Sequence, residues 1–297
     1  MVFSHTVAIL GGDTRQLSLA AKLAEEGLTV RAFGLPRESL PPRVECFLDW
    51  KEALGGATVV LLPLPASPDG IHVNLPLATG QDRPTLSDIF SLLPPGALLS
   101  GGKLTPSTKA ALEEQGIRYF DYFDSEELQE RNALPTAEGA VSILMREIPR
   151  TVKGLSVGVT GYGRVARALT ELLLAMGAEV TVAARKRSDI AAAAALGCYT
   201  VHLTGGDSLA EIGKRNRVIF NTVPYWIFSK SILSRMHRES LIIDLASAPG
   251  GVDATAAEAQ GIRVIWALSL PGKYAPATAG EIIAQTLLSY LQKEGTL

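Results

Sequence analysis

Short apolar runs that stop at glycine alternate along this chain with segments whose apolar positions recur at helical spacing. Thr6–Leu10 is a β-rich run ending in Gly11-Gly12-Asp13, and Leu17, Ala20, Ala21, Leu23 and Ala24 then share one helical face over residues 14–26. Gly27 punctuates, and Thr29–Phe33 reads as a second strand. Val59–Leu62 is a buried parallel strand closed by Pro63 and Pro65, and residues 63–84, rich in Pro, Gly and Asp, form a loop expected to carry one side of a cleft. Leu98–Ser100 is a further strand leaving through Gly101-Gly102-Lys103. Thr105-Pro106 opens a helix that runs to Gln115, and Arg118–Phe120 returns as a strand.

The second half repeats the alternation more regularly. Strands are expected at 155–160, 179–183, 198–201, 218–220, 241–245 and 262–265, with helices at 163–176 and in the Ala-rich segment 189–196. An amphipathic run closes the chain at 279–292. Between the halves, the acidic stretch Asp121–Glu130 leads to Asn132–Gly139, a helical segment, and the breakers Pro149 and Gly154. Strands alternating with helices define an α/β fold of two Rossmann-like, doubly wound parallel-sheet domains around a cleft. The first domain, 1–134, is read as flavodoxin- or Rossmann-like and substrate-binding. The second, 135–297, is read as the nucleotide domain, with a connector helix at about 135–148 and the 279–292 helix packing back on the first domain.

Composition narrows the chemistry. With 297 residues, a net charge of −2 and 47% hydrophobic residues, the chain has no broad basic surface for nucleic acid. No apolar run nears the ~18 residues of a membrane span, and the N-terminus enters a strand without a charged leader, so a cytoplasmic protein is expected. Cys46 and Cys198 form no C-x-x-C pair and read as reduced thiols. The four histidines show no ligand spacing, so no metal is expected; His202 and His237 read as surface or packing residues. No P-loop, Ser/His/Asp order or paired-carboxylate signature points to a kinase or a hydrolase.

The strongest motif is Gly161-Tyr162-Gly163-Arg164-Val165-Ala166 between a strand and a helix, the G-x-G-x-x-A dinucleotide fingerprint. Gly161 serves the tight turn, Gly163 the approach of a pyrophosphate, and Ala166 the packing of helix on strand, while the helix N-terminus attracts the phosphates. An NAD site usually carries Asp or Glu at the end of the next strand; here stand Ala184-Arg185-Lys186-Arg187-Ser188. Arg185, Lys186 and Ser188 suit a 2′-phosphate, so NADP is favoured, with NAD possible. Thr222, Val223 and Pro224 after one strand, Asp244, Ala246 and Ser247 after the next, and Pro271 and Gly272 after the last lie on the same expected edge. They make a nicotinamide pocket there.

In the first domain, Asp13, Arg15 and Gln16 occupy a helix N-terminus, where Arg15 can fork onto a substrate carboxylate or Asp13 can simply cap the helix. Ser100 and Gly101 end a strand on the same edge; Lys103 reads equally as ligand or as surface decoration. Thr136 and Glu138 open the connector helix, where Glu138 is the candidate for moving a proton and Thr136 either caps or faces the cleft.

Six motifs in order, Gly11-Gly12-Asp13-x-Arg15-Gln16, Asn132-x-x-Pro135-Thr136-x-Glu138-Gly139, Gly161-x-Gly163-Arg164, Asn221-Thr222-x-Pro224, Asp244-Leu-Ala-Ser247-x-Pro249-Gly250-Gly251-x-Asp253 and Leu270-Pro271-Gly272-x-x-Ala275-Pro276-x-Thr278-Ala279-Gly280, resemble the A subunits of the dipicolinate synthase family. The resemblance spans nearly the whole chain. Ala166 replaces a frequent Gly, and Ala248 stands where a basic residue can occur. The resemblance implies a sporulation enzyme of the mother cell that oxidises dihydrodipicolinate, or its 4-hydroxy-tetrahydro precursor, to dipicolinate with NADP⁺. It also implies a flavoprotein-like B subunit as partner, a small dicarboxylate as substrate and a homo-oligomer. Arg15 and Glu138 become the expected catalytic pair, with Asp13, Gln16, Ser100, Gly101, Thr136, Pro271 and Gly272 beside the substrate. Another NAD(P)-dependent amino-acid or imine dehydrogenase, or a non-catalytic NADP-binding subunit, remains the alternative.

Overall fold

The structure, a computed structural model, describes residues 5–78 and 82–295. Residues 79–81 of the expected 63–84 loop, and the first four residues of the N-terminal reading, lie outside the described residues. The chain divides into two compact units, one of residues 1–131 with 275–297 and one of residues 132–274.

The first unit contains β1 (Thr6–Leu10), α1 (Thr14–Glu25), β2 (Thr29–Phe33), β3 (Val44–Phe47), α2 (Trp50–Leu54) and β4 (Val59–Leu61). It continues with α3 (Leu86–Leu92), β5 (Leu98–Gly101), α4 (Pro106–Glu114), β6 (Tyr119–Asp121) and α5 (Glu126–Arg131). The second holds α6 (Ala133–Glu147), β7 (Ser156–Thr160), α7 (Arg164–Ala175), β8 (Glu179–Ala184), α8 (Arg187–Ala195), β9 (Tyr199–His202) and α9 (Gly206–Arg215). It ends with β10 (Val218–Asn221), α10 (Lys230–Leu233), β11 (Leu241–Asp244), α11 (Ala254–Ala259), β12 (Arg263–Trp266) and α12 (Leu270–Tyr274). The last helix, α13 (Pro276–Lys293), belongs to the first unit.

Each unit is one six-stranded sheet, ordered β3-β2-β1-β4-β5-β6 and β12-β11-β10-β7-β8-β9, with every adjacent pair parallel. Both are the dinucleotide-fold order 3-2-1-4-5-6, with crevices at the strand reversal between β1 and β4 and between β7 and β10. Helices cover both faces, which is why the central strands are apolar runs rather than alternating ones. In β1, Val7 and Ile9 join α1 and α13 on one face, while Ala8 and Leu10 join α2 and α3 on the other. In the second unit, Val157 and Val159 pack with α6 and α7, and Ile219 and Ile242 with α9 and α10.

Several elements depart from the sequence expectation. Edge strand β3 has no alternation of its own and takes its form from pairing with β2. The acidic stretch, for which no element is expected, folds as a short turn and α5. The connector helix begins at Ala133, so Pro135 lies inside its first turn, where its missing N–H has no intrahelical partner to lose. Residues 270–274, read as a loop, are α12. The division between units falls after Arg131 and again at Ala275, not at 134/135. α13 lays Ile282, Ile283, Leu287 and Leu291 into the core of the first unit.

Candidate functional site

In the second unit the crevice between β7 and β10 is built by the glycine loop. Gly161 has φ +90°, which a side chain tolerates poorly, and a Cβ there would lie 2.4 Å from Thr222 Oγ1. The Thr222 hydroxyl donates to the Thr160 carbonyl at 2.8 Å and so holds the turn from below. Gly163 is the N-cap of α7 with no side-chain cap, and the space a Cβ would enter beside it is open. The N-terminus of this twelve-residue helix therefore has no side chain of its own capping it, the setting in which a pyrophosphate binds. Ala166, fully buried, lets α7 sit close on β7; Arg164 and Val165 are half-buried in its first turn. Tyr162 is buried, with the Arg167 guanidinium 5.6 Å from its ring centre, and burial raises its phenol above the ordinary tyrosine range.

Beside this loop lies a cavity of about 490 Å³, within the range of small-ligand pockets. Gly161 and Tyr162 form one wall; Ala184, Arg185, Lys186 and Asp189, at the end of β8 and the start of α8, form the second. The β9–α9 turn, Leu203 to Gly206, closes the third, and Val223, Tyr225 and Ile227 close the fourth. The carboxylate that would meet ribose hydroxyls is replaced by the methyl of Ala184. The backbone of Arg185 is fixed by a 2.9 Å contact from His202 Nε2 to its carbonyl. Arg185 and Lys186 are exposed, as is Ser188, which does not line the cavity. These walls suit the adenosine half of a dinucleotide, whose nicotinamide half supplies redox chemistry when bound.

The ends of β10 and β11 are tied by one buried network. Thr160 Oγ1 donates to Asn221 Oδ1 at 2.7 Å, and Asn221 Nδ2 donates to Asp244 Oδ1 at 2.8 Å and to the Val223 carbonyl at 3.1 Å. Asp244 also accepts from the Ala246 and Gly251 amides at 3.1 and 2.8 Å. Both carboxylate oxygens are thus engaged inside the protein, so Asp244 shapes three loops instead of facing a cofactor, which corrects the expectation for it. A Cβ at Gly251 would fall 2.1 Å from Asn221 Nδ2, which accounts for that glycine. Ala246 is buried; Ser247 and Pro224 are exposed on the loops this network shapes.

On α6 the Thr136 hydroxyl donates back to the Asn132 carbonyl at 2.6 Å, so it is already partnered within its own helix. Glu138 is exposed on a groove of about 350 Å³ with Val141, Ser142, Met145, Leu172 and Met176. Leu172 and Met176 lie at the far end of α7 from Gly163, roughly 13–20 Å along the axis at about 1.5 Å per residue. The second unit therefore does not bring Glu138 to the dinucleotide loop. Pro271 and Gly272 are half-buried in α12, which packs Leu270 and Tyr274 against Gly139.

In the first unit the crevice between β1 and β4 opens at Gly11 and Gly12, with φ +73° and +110°. Asp13 caps α1 by accepting from the Arg15 amide at 3.0 Å, and Gln16 Oε1 accepts from the Asp13 amide at 3.0 Å, a reciprocal capping box. Arg15 is 7% exposed: its Nε and Nη2 meet the Asp13 carboxylate, and Nη2 also donates to the Leu64 carbonyl. The fork expected for a substrate carboxylate is thus turned inward, and among the described residues Nη1 is the guanidinium nitrogen with no acceptor. Gln16 is fully buried, and its Nε2 has no hydrogen-bond partner among the described residues.

Ser100 is fully buried and its hydroxyl donates to the Phe120 carbonyl at 3.1 Å. A Cβ at Gly101 would lie 2.9 Å from Leu104 Cδ2, and one at Gly102 2.6 Å from the Tyr122 ring. These positions are dictated by packing, a correction to their expected contact with substrate. Sequence reasoning missed the β9–α9 wall and Tyr225. Its available signal was Thr204-Gly205-Gly206, a turn at the carboxyl end of a strand and the start of a helix. Among the described residues, no helix is long and apolar enough to cross a membrane, and no cluster of three or more His, Cys, Asp or Glu could hold a metal ion.

Comparison with known proteins follows this division. Residues 6–123 match the family of the N-terminal domain of the dipicolinate synthase A subunit, and residues 139–257 the NAD-binding domain of D-isomer specific 2-hydroxyacid dehydrogenases. The dipicolinate synthase A subunit of Bacillus subtilis (strain 168) is 29% identical over 293 residues, covering 98% of this chain and 97% of that protein. The crystal structure of the Bacillus halodurans A subunit superposes with a TM-score of 0.88 at 27% identity, covering 98% and 99% of the two chains. That of the Bacillus subtilis A subunit gives 0.86 at 28%, covering 99% of each. The second unit is a nicotinamide-dinucleotide-binding domain of the dehydrogenase type. With the N-terminal half matched by that family's own model and the likeness running end to end, the chain is similar over its whole length to dipicolinate synthase A subunits.

Proposed function

We propose that this chain is the oxidising subunit of a dipicolinate synthase, taking hydride from a dihydrodipicolinate ring onto NADP⁺ and releasing a proton as the ring becomes aromatic. The observation that carries the cofactor choice is the cavity wall formed by Ala184, Arg185 and Lys186, where a methyl stands in place of the ribose-binding carboxylate. A guanidinium and an ammonium there would pair with a 2′-phosphate, and no acid stands at the end of β8 to repel it. Asp189 also lines this wall, in the first turn of α8.

The chain's own residues then act by orientation. The α7 amides and Gly163 hold the pyrophosphate, the Asn221–Asp244 network fixes the loops on the nicotinamide side, and Arg15 Nη1 offers one charge-assisted donor to a substrate carboxylate. Aromatisation supplies much of the driving force, so positioning is the larger part of the task. A flavoprotein-like B subunit, a homo-oligomeric state and the mother-cell cytoplasm complete the proposal. The test feeds aspartate semialdehyde, pyruvate, the condensing synthase and NADP⁺ to the purified chain, with and without its B-type partner. Ultraviolet absorbance of the pyridine product is expected with NADP⁺; its absence in both arms would mean that this chain is a non-catalytic binding component.

A further inference from the structure

We infer that Lys103 is the second carboxylate-binding cation of the first unit and the residue that makes its crevice select a dicarboxylate. This rests on the reading of that crevice as the substrate side.

The loop after β5 presents few groups to a ligand. Ser100 is buried and bonded to Phe120, and the Cβ positions of Gly101 and Gly102 are filled by Leu104, Leu64 and Tyr122. The next residue, Lys103, is exposed and holds φ +58°, a left-handed conformation that glycine or asparagine adopts far more readily. The surroundings enforce it. Asp121, 6% exposed, accepts from the Lys103 amide at 2.9 Å and the Leu104 amide at 2.8 Å, and also from the Phe123 amide at 3.0 Å. The Tyr122 hydroxyl donates to the Leu62 carbonyl at 3.0 Å and locks the ring beneath Gly102. A strained non-glycine residue held this firmly is a mark of use.

The ammonium of Lys103 is also uncommitted. The nearby acids Asp121 and Asp124 are paired with Lys109, at 3.1 and 2.6 Å, and Lys103 has no ion pair among the described residues. Its position joins it to Arg15. The Gly102 amide donates to the Pro63 carbonyl at 3.0 Å, the Ala66 amide donates to the Gly102 carbonyl at 2.9 Å, and the Leu64 carbonyl between them accepts from Arg15. Arg15 and Lys103 thus flank one short loop, each just past the carboxyl end of its strand, and those strands, β1 and β5, lie two places apart in the sheet, about 10 Å at the usual spacing. With the Arg15 fork bound to Asp13, one guanidinium edge remains for one carboxylate, and the flexible ammonium of Lys103 takes the other.

Calorimetric titration of the full chain with pyridine-2,6-dicarboxylate and with pyridine-2-carboxylate tests this. The wild type is expected to bind the dicarboxylate at least tenfold more tightly. Lys103→Gly and Lys103→Gln are expected to abolish that preference, while Lys103→Arg keeps most of it. Lys103→Gly also relieves the backbone, so its melting temperature should equal or exceed that of the wild type, separating lost binding from lost folding. A preference that survives Lys103→Gly overturns the assignment of Lys103 alone. A wild type that binds neither ligand overturns the dicarboxylate reading of the crevice and this inference with it.

Discussion

Arg15 turns its guanidinium onto Asp13, two residues earlier in the chain: Nε reaches Oδ1 at 2.9 Å and Nη2 reaches Oδ2 at 2.7 Å. Asp13 thereby performs two tasks, capping α1 and neutralising a cation whose side chain is 9% exposed. Removing the carboxylate leaves an orphan helix end, worth about 1 kcal/mol, and an unpaired buried charge, worth about 3 kcal/mol. Asp13→Ala is therefore expected to destabilise by about 3–4 kcal/mol in equilibrium urea unfolding. A loss near 1 kcal/mol would show that the pair contributes little beyond the cap.

Gly280 is where α13 crosses α1. A Cβ there would lie 2.1 Å from the Arg15 carbonyl oxygen and 3.0 Å from the Leu19 amide, both backbone atoms that cannot swing aside. Gly280→Ala must push the helices apart, at a cost of about 1–3 kcal/mol. Thermal melts should show it, whereas Gly295→Ala, with open space around the Cβ, tests the backbone effect alone at φ +67°.

Arg185→Asp places a carboxylate on the cavity wall beside Ala184. Loss of a charge-assisted contact worth about 1.5–3 kcal/mol, with added repulsion, predicts NADP affinity falling at least tenfold more than NAD affinity. Fluorescence titration with both dinucleotides reads this ratio directly. Equal losses would remove the 2′-phosphate assignment.

Asp244→Asn replaces one acceptor by an NH₂ group facing either the Gly251 amide or Asn221 Nδ2, both donors. The expected cost is about 1–3 kcal/mol of stability, with weaker dinucleotide binding because three loops share the network. Wild-type cofactor affinity in this variant would show that the loops hold without it.

Glu138→Gln is expected to leave kcat within about twofold of the wild type, because Glu138 lines a groove at the remote end of α7. A fall of a hundredfold or more, with a flattened pH profile, would restore it as the proton-transfer group.

Where local pattern suffices, the sequence is transparent. Parallel strands buried on both faces announce themselves as apolar runs, and the fingerprint loop shows Gly161 at a turn whose positive φ favours glycine. The basic pair at 185–186 is legible because its position follows from counting along β8. The site beyond these is not. Asp244 looks like a ligand because it ends a strand, yet its partners come from Asn221, Ala246 and Gly251, brought together by sheet pairing. Glu138 looks catalytic from its place after Pro135, but which way a helix turns that carboxylate depends on its packing against α7.

The sequence alone therefore determined most of the alternation of strands and helices, the dinucleotide loop and its basic neighbour, since each rests on residues close in the chain. Tertiary structure decided the rest. α13 joins the first unit because its apolar face completes that core, and Gly280 is required because two helices meet there. Arg15 is committed inward because Leu64, 49 residues away, supplies a carbonyl beside Asp13. Long-range contacts of this kind carry no local signature, as they depend on groups that only the folded sheet brings within hydrogen-bonding distance.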